Sequence, residues 1–215
     1  KFQTQIWIQG KRDGTTLKGD IYLKGLGDPS FVSEKLWMLV NEFYREGIRK
    51  ITGRLVVDDT YFDNVRFDES RDAGGNDRAY DSPVGAMSFN WNSTTVAIRP
   101  QGKGEKAQVF IDPANEYIRV DNKAVTGGKT NLNVSKVEGD GFDTIRVTGQ
   151  IGRNEKEVIF YKAISDPALY SGYCFKEFAK QRGIAIEGPV VLGKVPSNAD
   201  LVTDFYGEKL NKILG

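Results

Sequence analysis

Apolar and polar residues alternate from the first residue of the chain, with Phe2, Thr4, Ile6 and Ile8 on one face, which predicts a β-strand over residues 1–8. Gly10 to Gly14 reads as a turn, and Leu17 to Leu23 as a second strand broken by Gly25, Gly27, Asp28 and Pro29. From Ser33 the period changes. Leu36, Leu39, Val40 and Phe43 recur at helical spacing, so Ser33 opens an amphipathic helix that Gly47 closes. Ile51 to Val57 follows as a strand. The stretch from Phe89 to about Gln150 carries short alternating segments: Thr94 to Arg99, Ala107 to Ile111, Tyr117 to Val120, Asn131 to Val137 and Asp143 to Val147. Asp112-Pro113, Asp121-Asn122, Gly127-Gly128 and Gly139 to Gly141 punctuate them, as expected of a small all-β region.

The first pattern then returns. Glu157 to Ile164 reads as a strand, Asp166-Pro167 starts a helix that ends at Gly183-Ile184, and Ile186 to Val191 is the next strand. Asp28-Pro29, the helix to Gly47-Ile48, and Ile51-Thr52-Gly53-Arg54-Leu55-Val56 run in the same order. The repetition implies two strand-helix-strand units packed as one α/β domain, residues 1–83 with 151–196, and a β-rich domain, 84–150, inserted between them. The fold class expected is therefore α/β plus all-β. Apolar residues Leu201, Phe205, Leu210, Ile213 and Leu214 read as a last helix over 197–215. The chain starts inside a sheet without Met and stops at Gly215, as expected of a piece of a longer polypeptide.

Composition narrows the chemistry. Thirty Lys and Arg against 29 Asp and Glu leave a formal charge of +1, so no global field points to nucleic acid. No apolar run approaches the roughly 18 residues that span a bilayer. The chain has no histidine, which rules out within it a Ser-His-Asp triad, a Cys-His pair or a His-ligated zinc. Its single cysteine, Cys174, lies among Tyr173, Phe175 and Phe178 and is expected to pack in a helix. Asp58, Asp59, Asp63, Asp68, Glu69, Asp72 and Asp77 crowd the loop before Tyr80, but their spacing fits no EF-type calcium loop; a solvated loop paired with Arg66, Arg71 and Arg78 is expected. Gly127-Gly128-Lys129-Thr130 lacks the first glycine of a phosphate loop, since position 123 is Lys, and is expected to be a turn. Asn92-Ser93-Thr94 and Asn133-Val134-Ser135 match the loose glycosylation pattern. No metal or other cofactor is implied.

Gly19-Asp20-Ile21-Tyr22-Leu23-Lys24-Gly25 with Gly27-Asp28-Pro29, the helix to Gly47-Ile48, Gly53-Arg54-Leu55-Val56-Val57-Asp58-Asp59 with Phe62-Asp63, and then Tyr80 to Asn92 together carry a resemblance. The chain resembles the penicillin-binding protein 4-like D-Ala-D-Ala carboxypeptidases and endopeptidases, the class C low-molecular-mass group, most densely over 17–100 and 165–196. In that family two accessory domains, one inserted in the other, interrupt the catalytic domain between its two serine motifs. The resemblance implies a periplasmic parent enzyme acting on peptidoglycan peptides.

The departure matters equally. Such enzymes use S-x-x-K, S-x-N and K-T-G. No serine here has a lysine three residues on, Ser33-Glu34-Lys35 is one short, Lys129-Thr130-Asn131 lacks the glycine, and Ser88-Phe89-Asn90 fits S-x-N only formally. The chain is thus expected to be the accessory region alone, with no catalytic residue of its own. The resemblance also implies that an aromatic and an acid of this loop hold the cationic end of a diaminopimelate side chain. Tyr80 matches the aromatic; position 75, where the acid would fall, is Gly, so Asp77 or Asp72 must serve. Two other readings stay open here: an extracytoplasmic binding or adhesion module, and a free-standing enzyme built on a carboxylate pair, which would need two carboxyls about 5 to 10 Å apart in a cleft.

Overall fold

The computed structural model describes residues 2–67 and 77–207. Its chain divides into two units, the first holding the described residues of 2–67, 84–91 and 167–207 and the second those of 77–83 and 92–166.

In the first unit, β1 (Gln3–Asp13) and β2 (Thr16–Gly25) pair antiparallel around Gly14. The turn is shorter than expected from Gly10, because Gly10 stays in the strand opposite Gly19 and Lys11 to Asp13 continue the ladder. Helix α1 (Ser33–Arg45) buries Leu36, Leu39, Val40 and Phe43, the four residues its periodicity selects. The expected strand over 51–57 is two, β3 (Lys50–Ile51) and β4 (Leu55–Asp58), both parallel to β2. The break falls at Gly53 and Arg54: the Gly53 amide still donates to the Gly19 carbonyl of β2 at 2.9 Å, but the Arg54 amide turns to the Asp20 carboxylate at 2.7 Å.

The second unit contains β5 (Ser93–Arg99), β6 (Gln108–Asp112), β7 (Ile118–Asn122), β8 (Val125–Gly127), β9 (Asn131–Glu138), β10 (Asp143–Gly152) and β11 (Val158–Ala163). One sheet centres on β10, parallel to β7 and β8 and antiparallel to β9. The other is antiparallel, with β5 between β6 and β11. Val96, Ile98, Tyr117, Ile145, Val147 and Ile151 are among its buried residues.

The chain returns to the first unit with α2 (Pro167–Gln181), β12 (Ala185–Ile186), β13 (Val190–Leu192) and β14 (Asp200–Tyr206). The sheet runs β12-β3-β2-β1-β14, with β4 also against β2 and carrying β13. Both helices lie in this unit, where Trp37 meets Phe178 edge-on at 6.2 Å and the Tyr44 ring sits between the guanidiniums of Arg49 and Arg182. Cys174 is buried in α2.

The repeat seen in the sequence holds from the helix onward: α1-β3-β4 and α2-β12-β13 lie side by side, β12 parallel to β3 and β13 parallel to β4. Each helix ends on a glycine in the left-handed region, Gly47 at φ +81° and Gly183 at φ +88°. Nothing lies within 4 Å of a Cβ added at Gly183, so Gly183→Ala is expected to cost only the conformational term, about 1 kcal/mol, measurable by chemical denaturation.

Two further expectations are corrected. The strand read over 157–164 pairs with β5 and so belongs to the second unit; the boundaries fall at 83/84, 91/92 and 166/167. Periodicity alone does not say which sheet a strand joins. The helix read over 197–215 is a strand over Asp200–Tyr206, and residues 208–215 lie outside the described ones. Its apolar spacing is compatible with either period, but Val202 and Thr203 are β-branched and β1 offers an edge from Gln3 to Ile8. Phe205 then packs on Phe31 at 6.3 Å.

Candidate functional site

The residues singled out around Tyr80 divide between the two units. Asp77 to Pro83 belong to the second unit, and Val84 to Trp91 to the first. Asp72 lies outside the described residues.

In the second unit Asp77 is a clamp. Its Oδ1 accepts from Lys162 Nζ at 2.8 Å, its Oδ2 from the Lys136 backbone N–H at 2.8 Å, and its carbonyl from the Ala163 N–H at 3.0 Å. Burial works to raise its pKa, but the Lys162 and Lys136 hydrogen bonds and charges outweigh it and hold the carboxyl below the ordinary value. Lys136 extends the network by donating from Nζ to Ser165 Oγ at 2.6 Å. The Ser165 N–H donates to the buried Asp143 at 2.9 Å, and the Asp166 N–H to the Tyr117 hydroxyl at 3.0 Å. Burial, with Asp143 nearby, pushes that hydroxyl's pKa far up, so it stays protonated.

Arg78 forms a bridge with Lys162, and Ala79–Asp81 make a single tight turn that presents Tyr80 at 65% exposure. Arg78 Nη1 donates to the Tyr80 hydroxyl at 2.7 Å. The turn is tied down by the Ser82 hydroxyl, 2.7 Å from the Ala79 carbonyl and 2.8 Å from that of Asn92, and by Asn92 Nδ2, which donates to the Pro83 carbonyl at 2.8 Å. Asn92 is buried, so its glycosylation match is a structural amide. The sequence-selected aromatic and acid are therefore near in the chain but differ in kind: Tyr80 faces solvent, whereas Asp77 has both oxygens engaged inside the unit.

In the first unit, Ser88-Phe89-Asn90 is no strand. Ser88 Oγ donates to the Gly85 carbonyl at 2.8 Å, Phe89 is buried between Phe31 and Tyr170, and Asn90 caps α1. Asn90 Oδ1 accepts from the Ser33 N–H at 3.0 Å and its Nδ2 donates to Ser33 Oγ at 3.0 Å. Val32, the residue that precedes the helix, has no side chain able to do this, so the cap comes from 57 positions away. The formal S-x-N match is thus a helix cap.

The acid-rich loop also differs from the solvated one expected. Asp58 is buried, its Oδ1 accepting from the Thr60 amide and hydroxyl and its Oδ2 from the Val195 N–H at 2.9 Å. Burial raises its pKa, but these bonds and Lys24 hold it below the ordinary value. Asp59 pairs with Arg66 and accepts from the Met87 N–H. Asp63 is exposed, and Asp68, Glu69, Arg71 and Asp72 lie outside the described residues. Among the described residues, no three His, Cys, Asp or Glu side chains gather as a metal site would require.

Sequence reasoning missed Lys162, the partner of Asp77. The signal was available in phase: Ile159 and Tyr161 face out of β11, so Lys162 takes the inward position, where a charge needs a partner.

Comparison with known proteins bears on this arrangement. The profile of the D-Ala-D-Ala carboxypeptidase 3 (S13) family matches residues 1–215. A D-alanyl-D-alanine carboxypeptidase of Actinomadura sp. (strain R39) is 31% identical over 205 residues, covering 91% of this chain and 38% of that protein. The D-alanyl-D-alanine carboxypeptidase DacB of Haemophilus influenzae is 24% identical over the whole chain and 45% of its own length. The crystal structure of penicillin binding protein 4 (dacB) from H. influenzae superposes with a TM-score of 0.77 at 20% identity, covering 99% of this chain and 48% of that one, which establishes a shared fold. The chain belongs to the D-Ala-D-Ala carboxypeptidase 3 (S13) family. It spans less than half the length of the relatives it matches.

Proposed function

We propose that this chain is the accessory, non-catalytic region of a periplasmic serine-type D-Ala-D-Ala carboxypeptidase or endopeptidase that acts on peptidoglycan peptides, and that it helps shape substrate access. One observation carries the reading: the family profile covers the whole chain, yet no serine in it has a lysine three residues on. Acylation by a substrate or a β-lactam requires a serine deprotonated by a nearby base, and Ser-x-x-Lys supplies that base one helical turn away. Ser88, the one serine in an S-x-N frame, has its hydroxyl against the Gly85 carbonyl, and Asn90 is occupied with the α1 cap. In this reading Tyr80 is the substrate-facing residue of the region, and Asp77 acts on substrate through the loop it anchors.

The isolated chain is expected to stay unlabelled when incubated with a fluorescent penicillin and resolved on a denaturing gel, while a full-length relative is labelled in parallel. Stoichiometric labelling at any serine of this chain would overturn the accessory reading.

A further inference from the structure

We propose that the outward face of the sheet formed by β6, β5 and β11 binds a neutral oligosaccharide. Burial alternates cleanly along these strands: Thr94, Val96 and Ile98 point inward, and Thr95, Ala97 and Arg99 outward. An antiparallel sheet with one covered face ordinarily carries polar residues on the other. This one instead exposes Phe110, Ile159 and Tyr161.

Register decides what these side chains make together. Phe110, Ala97 and Ile159 lie in one row across the three strands, and Asp112, Thr95 and Tyr161 in the next but one. The small residues Ala97 and Thr95 occupy the middle strand, so the large ones stand as walls about 10 Å apart on either side of a shallow floor. The row beyond Phe110 is polar: Arg99 Nε donates to Glu157 at 2.6 Å, its guanidinium lies 5.0 Å from the Phe110 ring centre, and Gln101 donates to Gln108 at 2.9 Å.

The ligand this face fits has a flat apolar side for the ring and aliphatic walls and hydrogen-bonding groups around its rim. It also carries no negative charge: Arg99 and Glu157 satisfy each other, and the exposed carboxylate of Asp112, in the Tyr161 row, accepts from hydroxyls and disfavours an anion. A pyranose ring has these properties. Another protein fits worse, since three large side chains fall far short of the roughly 800 Å² per partner of a stable interface.

The choice of sugar rests on the proposed cell-wall reading, which favours chains of N-acetylated hexosamine. The test titrates the isotopically labelled chain with two neutral tetrasaccharides, N-acetylchitotetraose and cellotetraose, and follows backbone amide shifts. Shifts confined to residues 95–99, 108–112 and 157–161 are expected, stronger with the N-acetylated sugar. Phe110→Ala and Tyr161→Ala should each weaken binding at least about fivefold, while Tyr161→Phe, which keeps the ring, should retain it. These positions are exposed, and unchanged amide spectra elsewhere confirm that each variant folds. Binding of cellotetraose alone at this face would support the sugar platform and count against the cell-wall reading. Absence of shifts at millimolar sugar, shifts that survive both alanine variants, or concentration-dependent self-association that buries Tyr161 would overturn the proposal.

Discussion

Asp77→Ala is expected to lower the stability of the second unit by about 2 kcal/mol, less than the cost of breaking a fully buried ion pair because the Asp77 side chain is itself 28% exposed. The magnitude follows from what is left behind. The Lys162 side chain is only 10% exposed, and its ammonium would lose the carboxylate 2.8 Å away. The Lys136 and Ala163 amides make the case unequal: Ala163 donates to the backbone carbonyl of residue 77 and survives, whereas the Lys136 N–H loses its acceptor. Asp77→Asn should cost less, because the amide oxygen can still accept one bond. Asp77→Ala with Lys162→Met should recover much of the loss, since a buried pair replaced by apolar residues leaves no unpaired charge. Urea denaturation followed by circular dichroism measures all three.

The same clamp gives stability a pH dependence of definite sign. The folded carboxyl titrates below its ordinary value, so near pH 4 the unfolded chain binds more protons than the folded one. The contribution is complete above the unfolded value of about 3.9 and is lost as pH falls through the lower folded value. Asp58, also held low, acts in the same direction in the first unit. Stability of the Asp77→Ala variant should therefore fall less steeply below pH 4 than that of the parent chain.

What the sequence made legible follows from where the determinants of structure are local. The face of α1 and its closing glycine could be read because helical period and a left-handed cap are written within 15 residues. Periodicity also exposed the repeat of α1-β3-β4 in α2-β12-β13. Pairing partners were not legible. Glu157 to Ile164 reads as a strand in any sheet, and only the register of β11 on β5 assigns it to the second unit. The residues 200–206 carry an apolar pattern that suits either period, and the open edge of β1, some 195 positions earlier, decides for a strand.

Long-range polar bonds hid the site in the same way. Asn90 fits S-x-N only formally in the sequence, and its real partner, Ser33, lies 57 residues away. Asp77 looked like a substrate acid, and 85 residues separate it from the lysine that holds it. Tyr80 was singled out by the resemblance alone; its exposure follows from the tight turn Ala79–Asp81 that presents it.

Restored to a full-length enzyme, Tyr80→Ala is expected to lower kcat/KM for peptides carrying a free diaminopimelate amine by roughly tenfold, while acylation by simple penicillins stays nearly unchanged. The reasoning is one of differential contact. A ring presented at 65% exposure on a turn fixed by Ser82 and Asn92 can pack along an aliphatic side chain and face its ammonium, an interaction worth roughly 1 kcal/mol or more when water is excluded. A penicillin that lacks this side chain gains nothing from it. Asp77→Asn should act in the same direction but through KM and loop order, since its carboxylate is engaged with Lys162 and Lys136 and holds the segment at Arg78 that leads into the turn. Arg78 supplies the discriminating variant: its guanidinium donates to the Tyr80 hydroxyl and places a positive charge beside the ring. If the turn reads an ammonium, Arg78→Gln removes a like charge and should raise kcat/KM for amine-bearing peptides severalfold, with a smaller gain at high salt. Equal treatment of amine-bearing peptides and penicillins by all three variants would mean that the turn does not read the substrate.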